Sequence, residues 1–153
     1  MAFALLALII AGGMAYIRLA PSDPVRWHVR PEAQGTGGWT FLSPGADPVI
    51  VEEGGARAAV TVPGQRPEDV LARLDAIALE TPCTVRLAGS PEDGLITWVT
   101  RSAVFGFPDY TTAAARMEGP STVLVLHARL RFGRKDFGVN KTRLQDWIGQ
   151  LTS

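Results

Sequence analysis

The sequence predicts an α+β domain: a mostly antiparallel sheet with two helices packed on one face, preceded by an N-terminal transmembrane helix. Three observations carry this reading. Ala2 to Ile17 is an uncharged run, close to the ~20 apolar helical residues that cross a hydrocarbon core about 30 Å thick. From residue 49 the patterned segments run as short strands, a helix, several more strands and a closing helix, an order that segregates helices from strands. The late strands are joined by short turn clusters such as Ser90-Pro91-Glu92-Asp93-Gly94. Short turns favour antiparallel pairing, because parallel neighbours need a crossover of about a dozen residues or more.

Taken in order, the first element is the anchor, residues 1–20. Arg18 interrupts the apolar run near its end, where an arginine can snorkel to the interface. Tyr16 sits where an interfacial aromatic belongs. Pro21 and Pro24 stop the helix. A cleaved signal peptide is the second reading, since Gly13-Met14-Ala15 supplies small residues, but only Met1 stands where a basic leader would. A buried helix is the third, weakened because no polar face interrupts Ala2 to Met14.

Residues 21–48 read as a Pro/Gly-rich membrane-proximal linker. Three prolines in residues 21–31 predict an extended, stiff segment. Seven Gly or Pro in residues 31–48 predict a loop, although Trp39, Phe41 and Leu42 predict that part of it packs. The α+β domain is then 49–153. Val49–Val51 and Ala56–Val62 are strands around Glu53-Gly54-Gly55. Pro67 suits the first position of a helix, with Glu68 and Asp69 favourable to its dipole and Val70, Leu71, Leu74, Ile77 and Ala78 on one face. Thr84–Leu87, Leu95–Arg101 and Thr111–Met117 follow as strands. In Ser121–Phe132, Leu124, Leu126, Ala128 and Leu130 alternate with Val123, Val125, His127, Arg129 and Arg131. Asn140 is expected to cap the last helix, which buries Leu144, Trp147, Ile148 and Leu151.

Composition excludes several function classes. With 153 residues there is room for one domain and a tail. Fifteen Lys and Arg balance fifteen Asp and Glu, 46% of residues are hydrophobic, and Cys83 is alone. Wholesale disorder and a disulfide scaffold are therefore excluded. Charge is nonetheless uneven. Residues 24–118 hold eight basic and twelve acidic residues, whereas 119–153 hold six and two. Arg129 and Arg131 share a strand face, and guanidinium forks there suit a carboxylate or phosphate. The bland alternative is a solvated face paired with acids elsewhere. Two corners, Arg101–Asp109 and Phe132–Asn140, each place Phe-Gly before an acid. They read either as a paired-loop pocket using Asp109 and Asp136, or as turns whose Asp side chains cap backbone amides.

Catalytic and cofactor constellations fail in turn. His28 and His127 are ninety-nine residues apart, and Cys83 has no partner at ligand spacing. There is no phosphate-cradling glycine motif and no nucleophile elbow. Two phenylalanines beside the basic stripe are no stacking platform, so nucleic acid is not expected. No metal and no cofactor is expected either. Trp27-His28 reads as an aromatic clasp rather than an acid or base.

ITWVTRSAVFGFPDYTT followed by LHARLRFGRKDFGVNKTRLQDWI resembles the bacterial "domain of unknown function 1499" family. Arg101, Ser102, Phe107, Pro108, Asp109, Arg129, Arg131, Gly133, Asp136, Gly138, Val139 and Asn140 carry the resemblance, and SDPVRWHV is similar to the segment that follows a single hydrophobic span in some members. It covers roughly residues 1–30 and 60–153. The cysteine-containing segment that some members carry before the domain is absent here. The resemblance implies an envelope-associated α+β domain and no activity. The expectation is therefore a non-enzymatic, membrane-anchored envelope protein that binds an anionic or lipid-like ligand or a protein partner. Arg101, Asp109, Arg129, Arg131, Asp136 and Asn140 are the candidate binding residues, converging on one hollow. The alternatives are an enzyme on an envelope substrate that uses an Asp/Arg pair, and an assembly factor. Inner-membrane, single-pass placement with a periplasmic domain is expected, against the one positive-inside vote that Arg18 casts for the cytoplasm.

Overall fold

A computed structural model describes residues 2–34, 47–135 and 137–153. Trp39, Phe41, Leu42 and Asp136 therefore lie outside the described residues. The chain forms helix α1 (Ala2–Leu19), a one-turn helix α2 (Pro24–Trp27), a 3-10 turn (Pro31–Gln34), strands β1 (Val49–Glu52) and β2 (Gly55–Pro63), and helix α3 (Pro67–Glu80). Strands β3 (Thr84–Ser90), β4 (Leu95–Arg101), β5 (Pro108–Glu118) and β6 (Ser121–Leu130) follow, and helix α4 (Val139–Thr152) closes the chain.

The six strands make one antiparallel sheet in the order β1-β2-β6-β5-β4-β3. The alternation in β6 decides which side is which. Leu124, Leu126 and Ala128 join Ala56, Ala58, Ile96, Trp98 and Ala113 in the main core, under Val70, Leu71 and Leu74 of α3 and Leu144, Trp147 and Leu151 of α4. Both expected helices thus cover one face. Asp75 of α3 fastens that layer: it is buried, accepts from Trp98 Nε1 at 2.8 Å and from Arg86 Nε at 3.0 Å, and pairs with Arg86 through both oxygens. The edge-to-face pair Trp98–Trp147, 5.5 Å between centroids, joins β4 to α4.

The second face is covered as well, which the sequence reading did not anticipate. Residues 20–34 lie across it. The expected extended run after Pro21 turns instead into α2, because Asp23 and Pro24 together form a helix start. The Asp23 carboxylate accepts the Val25 amide at 2.9 Å, and Pro24 takes the first helical position. The last helix also starts differently. Its N-cap is Gly138 in the left-handed region (φ 84°), and Asn140 stands inside the first turn, fully buried.

α1 is 18 residues, about 27 Å at 1.5 Å per residue. Among the described residues no helix is long and apolar enough to cross a membrane. Every side chain described from Phe3 to Gly13 is exposed, with Phe3 at 90% and Leu8 at 70%.

Candidate functional site

On the second face the chemistry centres on Trp27. Its ring stacks on Tyr110, 3.9 Å between centroids and 9° from parallel, with Val99 and Leu87 beside it. The Arg129 guanidinium lies over the same ring, 5.4 Å from its centroid, and that of Arg26 at 5.0 Å, so Trp27 meets a phenol and two cations. Arg129 Nη2 also donates to Trp27 O and to Thr112 Oγ1, both at 2.8 Å. Burial pulls the Arg129 guanidinium down to about 10, with Glu52 opposing, so it remains a cation at neutral pH.

A polar chain continues from there. Thr112 Oγ1 donates to Trp27 O at 3.2 Å and lies 3.0 Å from Thr97 Oγ1, which in turn is 2.9 Å from His28 Nδ1. One assignment satisfies all three groups: Thr97 donates to Thr112, and His28 donates from Nδ1 to Thr97. Burial lowers the His28 pKa, outweighing Asp93, in keeping with a neutral ring. Just past the end of β6, Arg131 Nη1 donates to Pro21 O at 2.6 Å and to the Tyr110 hydroxyl at 3.2 Å, while Ser22 Oγ and Tyr110 Oη are 2.8 Å apart. Arg101 reaches the Gly106 carbonyl at 3.0 Å, Ile17 O at 3.4 Å and Ala20 O at 3.5 Å. Arg116 pairs with Glu32 at 3.0 Å. The three arginines singled out from the sequence therefore bind backbone carbonyls of the chain's own N-terminal segment, between Ile17 and Trp27.

The remaining candidates sit on the other side of the sheet. Asp109 is paired with Leu130 and Thr100, and so faces the helices. There Arg143 Nη2 is 3.4 Å from Asp109 Oδ2, and Arg143 Nη1 donates to Asn140 Oδ1 at 2.6 Å. All three are buried. The expectation of one shared hollow is corrected here. Arg101, Arg129 and Arg131 occupy the second face, Asp109 and Asn140 the helix face, and a hydrogen-bonded sheet separates them. Asn140 acts through its side chain on Arg143 rather than as a cap. Arg143, which completes this cluster, was visible in the sequence only as one member of the basic C-terminal stretch. Its partner was unreadable without the α4–β5 contact.

A groove of about 900 Å³ runs along α4, lined by Ile77, Pro82, Val139, Lys141 and Trp147, and the buried Arg143 reaches it. A smaller hollow of about 440 Å³ opens at the foot of α1. Cys83 is exposed with φ 60°. Among the described residues no group of three His, Cys, Asp or Glu is placed to hold a metal ion.

His127 lies at the far margin of the second face, its Nε2 2.5 Å from Glu52 Oε1. Burial lowers its pKa more than Glu52 raises it. Among the described residues nothing bonds its Nδ1. The neutral ring with its proton on Nε2, donating to Glu52, is thus the form that buries no N–H without an acceptor.

Residues 41–151 match a family model described as "Protein of unknown function (DUF1499)". The matched region holds the whole sheet, α3 and most of α4, and leaves out α1 and residues 20–34. No curated protein matches the chain.

Proposed function

The chain belongs to the DUF1499 family of proteins of unknown function, and from that premise we propose that it is a non-enzymatic binding domain of the cell envelope with its body periplasmic, held on the inner membrane by α1, which alone is short of a full span and completes a single pass with the snorkelling Arg18 and the residues that follow it. The observation that carries the anchor is α1 itself. It is an 18-residue helix in which Leu5, Leu6, Leu8, Ile9 and Ile10 are each more than half exposed. An unpartnered apolar surface of that extent is stable only against lipid or a protein, and Arg18 with Tyr16 at its C-terminal end is the flanking pattern of an interfacial boundary.

Binding is assigned to the groove along α4. It joins apolar walls to charged groups of both signs, Lys141 and Arg143 with Glu80 and Asp146, and Lys141, 3.0 Å from Asp47, is the group left to meet the acidic head of an amphiphile. Arg101, Arg129 and Arg131 serve this function indirectly, by fixing the anchor to the body. The geometry does not support an enzyme that pairs Asp109 with Arg129, since they point to opposite faces of the sheet.

Membrane fractions of cells making the full chain, washed with alkaline carbonate, should keep the protein in the pellet. A reporter enzyme active only outside the cytoplasm, fused after Ser153, should be active. Release by carbonate overturns the anchor, and a silent reporter overturns the orientation. For the groove, a fluorescent twelve-carbon carboxylate should bind the purified protein, and Lys141→Glu should weaken it at least tenfold. An unchanged affinity overturns this assignment of the binding site.

A further inference from the structure

We propose that the loop Ser102–Phe107, with the hollow between it and the foot of α1, is a phospholipid-docking surface that seats the sheet body against the bilayer. The inference rests on α1 being the membrane helix and adds where the body lies relative to the lipid.

The loop is fixed to the helix from two sides. Arg18 Nη2 donates to Val104 O at 2.7 Å, and Arg101 joins Gly106 O to Ile17 O and Ala20 O. The approach is close enough that a Cβ at Gly106, whose φ is +76°, would stand 2.7 Å from Arg18 Cγ. Wherever the last turn of α1 sits, the loop sits beside it.

The loop also shows lipid-facing chemistry. Val104 is 65% exposed and Phe105 50%, next to Tyr16 at 68% and Leu19 at 81%. Loop tips in water are ordinarily polar, so a contiguous apolar tip signals a partner. Aromatic rings run from the helix to the loop: Tyr16 to Phe132 at 6.4 Å, Phe132 to Phe107 at 6.1 Å, Phe107 to Phe105 at 5.9 Å. Aromatics in this arrangement, with Arg18 and Arg131 among them, are what the headgroup layer collects. Val85, Val99 and Ala103 line the hollow together with Arg18 and Arg101. An apolar lining that also holds two guanidinium groups complements an acyl chain and its phosphodiester.

The full chain, with Cys83→Ser, is labelled at single cysteines by an environment-sensitive nitrobenzoxadiazole and reconstituted into phosphatidylethanolamine/phosphatidylglycerol vesicles containing shallow nitroxide lipids. Leu8→Cys reports the span, Phe105→Cys the loop, and Glu92→Cys the opposite end of the sheet. The proposal expects the labels at 8 and 105 to be blue-shifted and quenched and the label at 92 to be neither. Quenching at 8 without quenching at 105 overturns the docking surface and leaves the anchor standing. No quenching at either position overturns both. Quenching at all three positions overturns the loop's specific role.

Discussion

His127 carries a pH dependence whose sign follows from its burial. Its folded pKa lies below the 6.5 of an unperturbed imidazole, as does that of His28. The unfolded chain therefore binds more protons than the folded one as pH falls through 6.5, and stability falls with it. The melting temperature of the full chain should drop between pH 7.5 and pH 5.5, and His127→Gln should flatten part of that slope. A melting temperature that rises on acidification contradicts the neutral ring. Across the sheet, Arg143 and Asp109 form an ion pair with about nine-tenths of each side chain buried. Removing one partner of a buried pair costs about 3–5 kcal/mol, so Arg143→Met should lower stability by roughly 3 kcal/mol in a denaturant titration. Adding Asp109→Asn should restore part of it, because an amide tolerates the site without a cation. An unaltered midpoint in the single variant contradicts the pair's role.

Elements formed where local pattern and tertiary demand agree. The alternation of β6 and the Pro67-Glu68-Asp69 start of α3 were readable because each is a local signal later reinforced by packing. The convergence of the candidate residues was misread because faces are relative. Asp109 was read as a corner residue ahead of a strand at Thr111, but β5 begins at Pro108, and its register with β6, Tyr110 opposite Arg129, decides that Asp109 points away. Nor could the segment before the domain be read as the second layer of the fold. Its contacts, such as Trp27 with Tyr110 and His28 with Thr97, join residues more than sixty positions apart. The Asp23-Pro24 helix start, by contrast, was present in the sequence and was overridden by the proline count. Trp27→Ala removes a buried ring between two partners, and truncations of this kind cost about 3–5 kcal/mol. The expected loss is roughly 3 kcal/mol, read from the unfolding midpoint of the detergent-solubilised chain. A loss below about 0.5 kcal/mol, the range of ordinary surface substitutions, means that this layer is not part of the cooperative unit.

At the scale of the whole molecule, the sheet is covered by helices on one side and by residues 20–34 of the same chain on the other. The arginines that looked like a ligand site hold that segment down. The consequence is mechanical: a segment bonded to the sheet by Arg101, Arg129 and Arg131 fixes the proposed anchor α1 relative to the body, where a free linker would let it swing. Hydrogen–deuterium exchange of the full chain tests this most directly, because the amides of Val25 to His28 are bonded only while α2 is formed. In the native protein these amides should exchange at least tenfold more slowly than an open chain. Arg129→Ala combined with Arg131→Ala should speed them while leaving α4 protected. If residues 25–28 of the native chain already exchange at open-chain rates, the segment is a free linker and the account of the arginines is wrong.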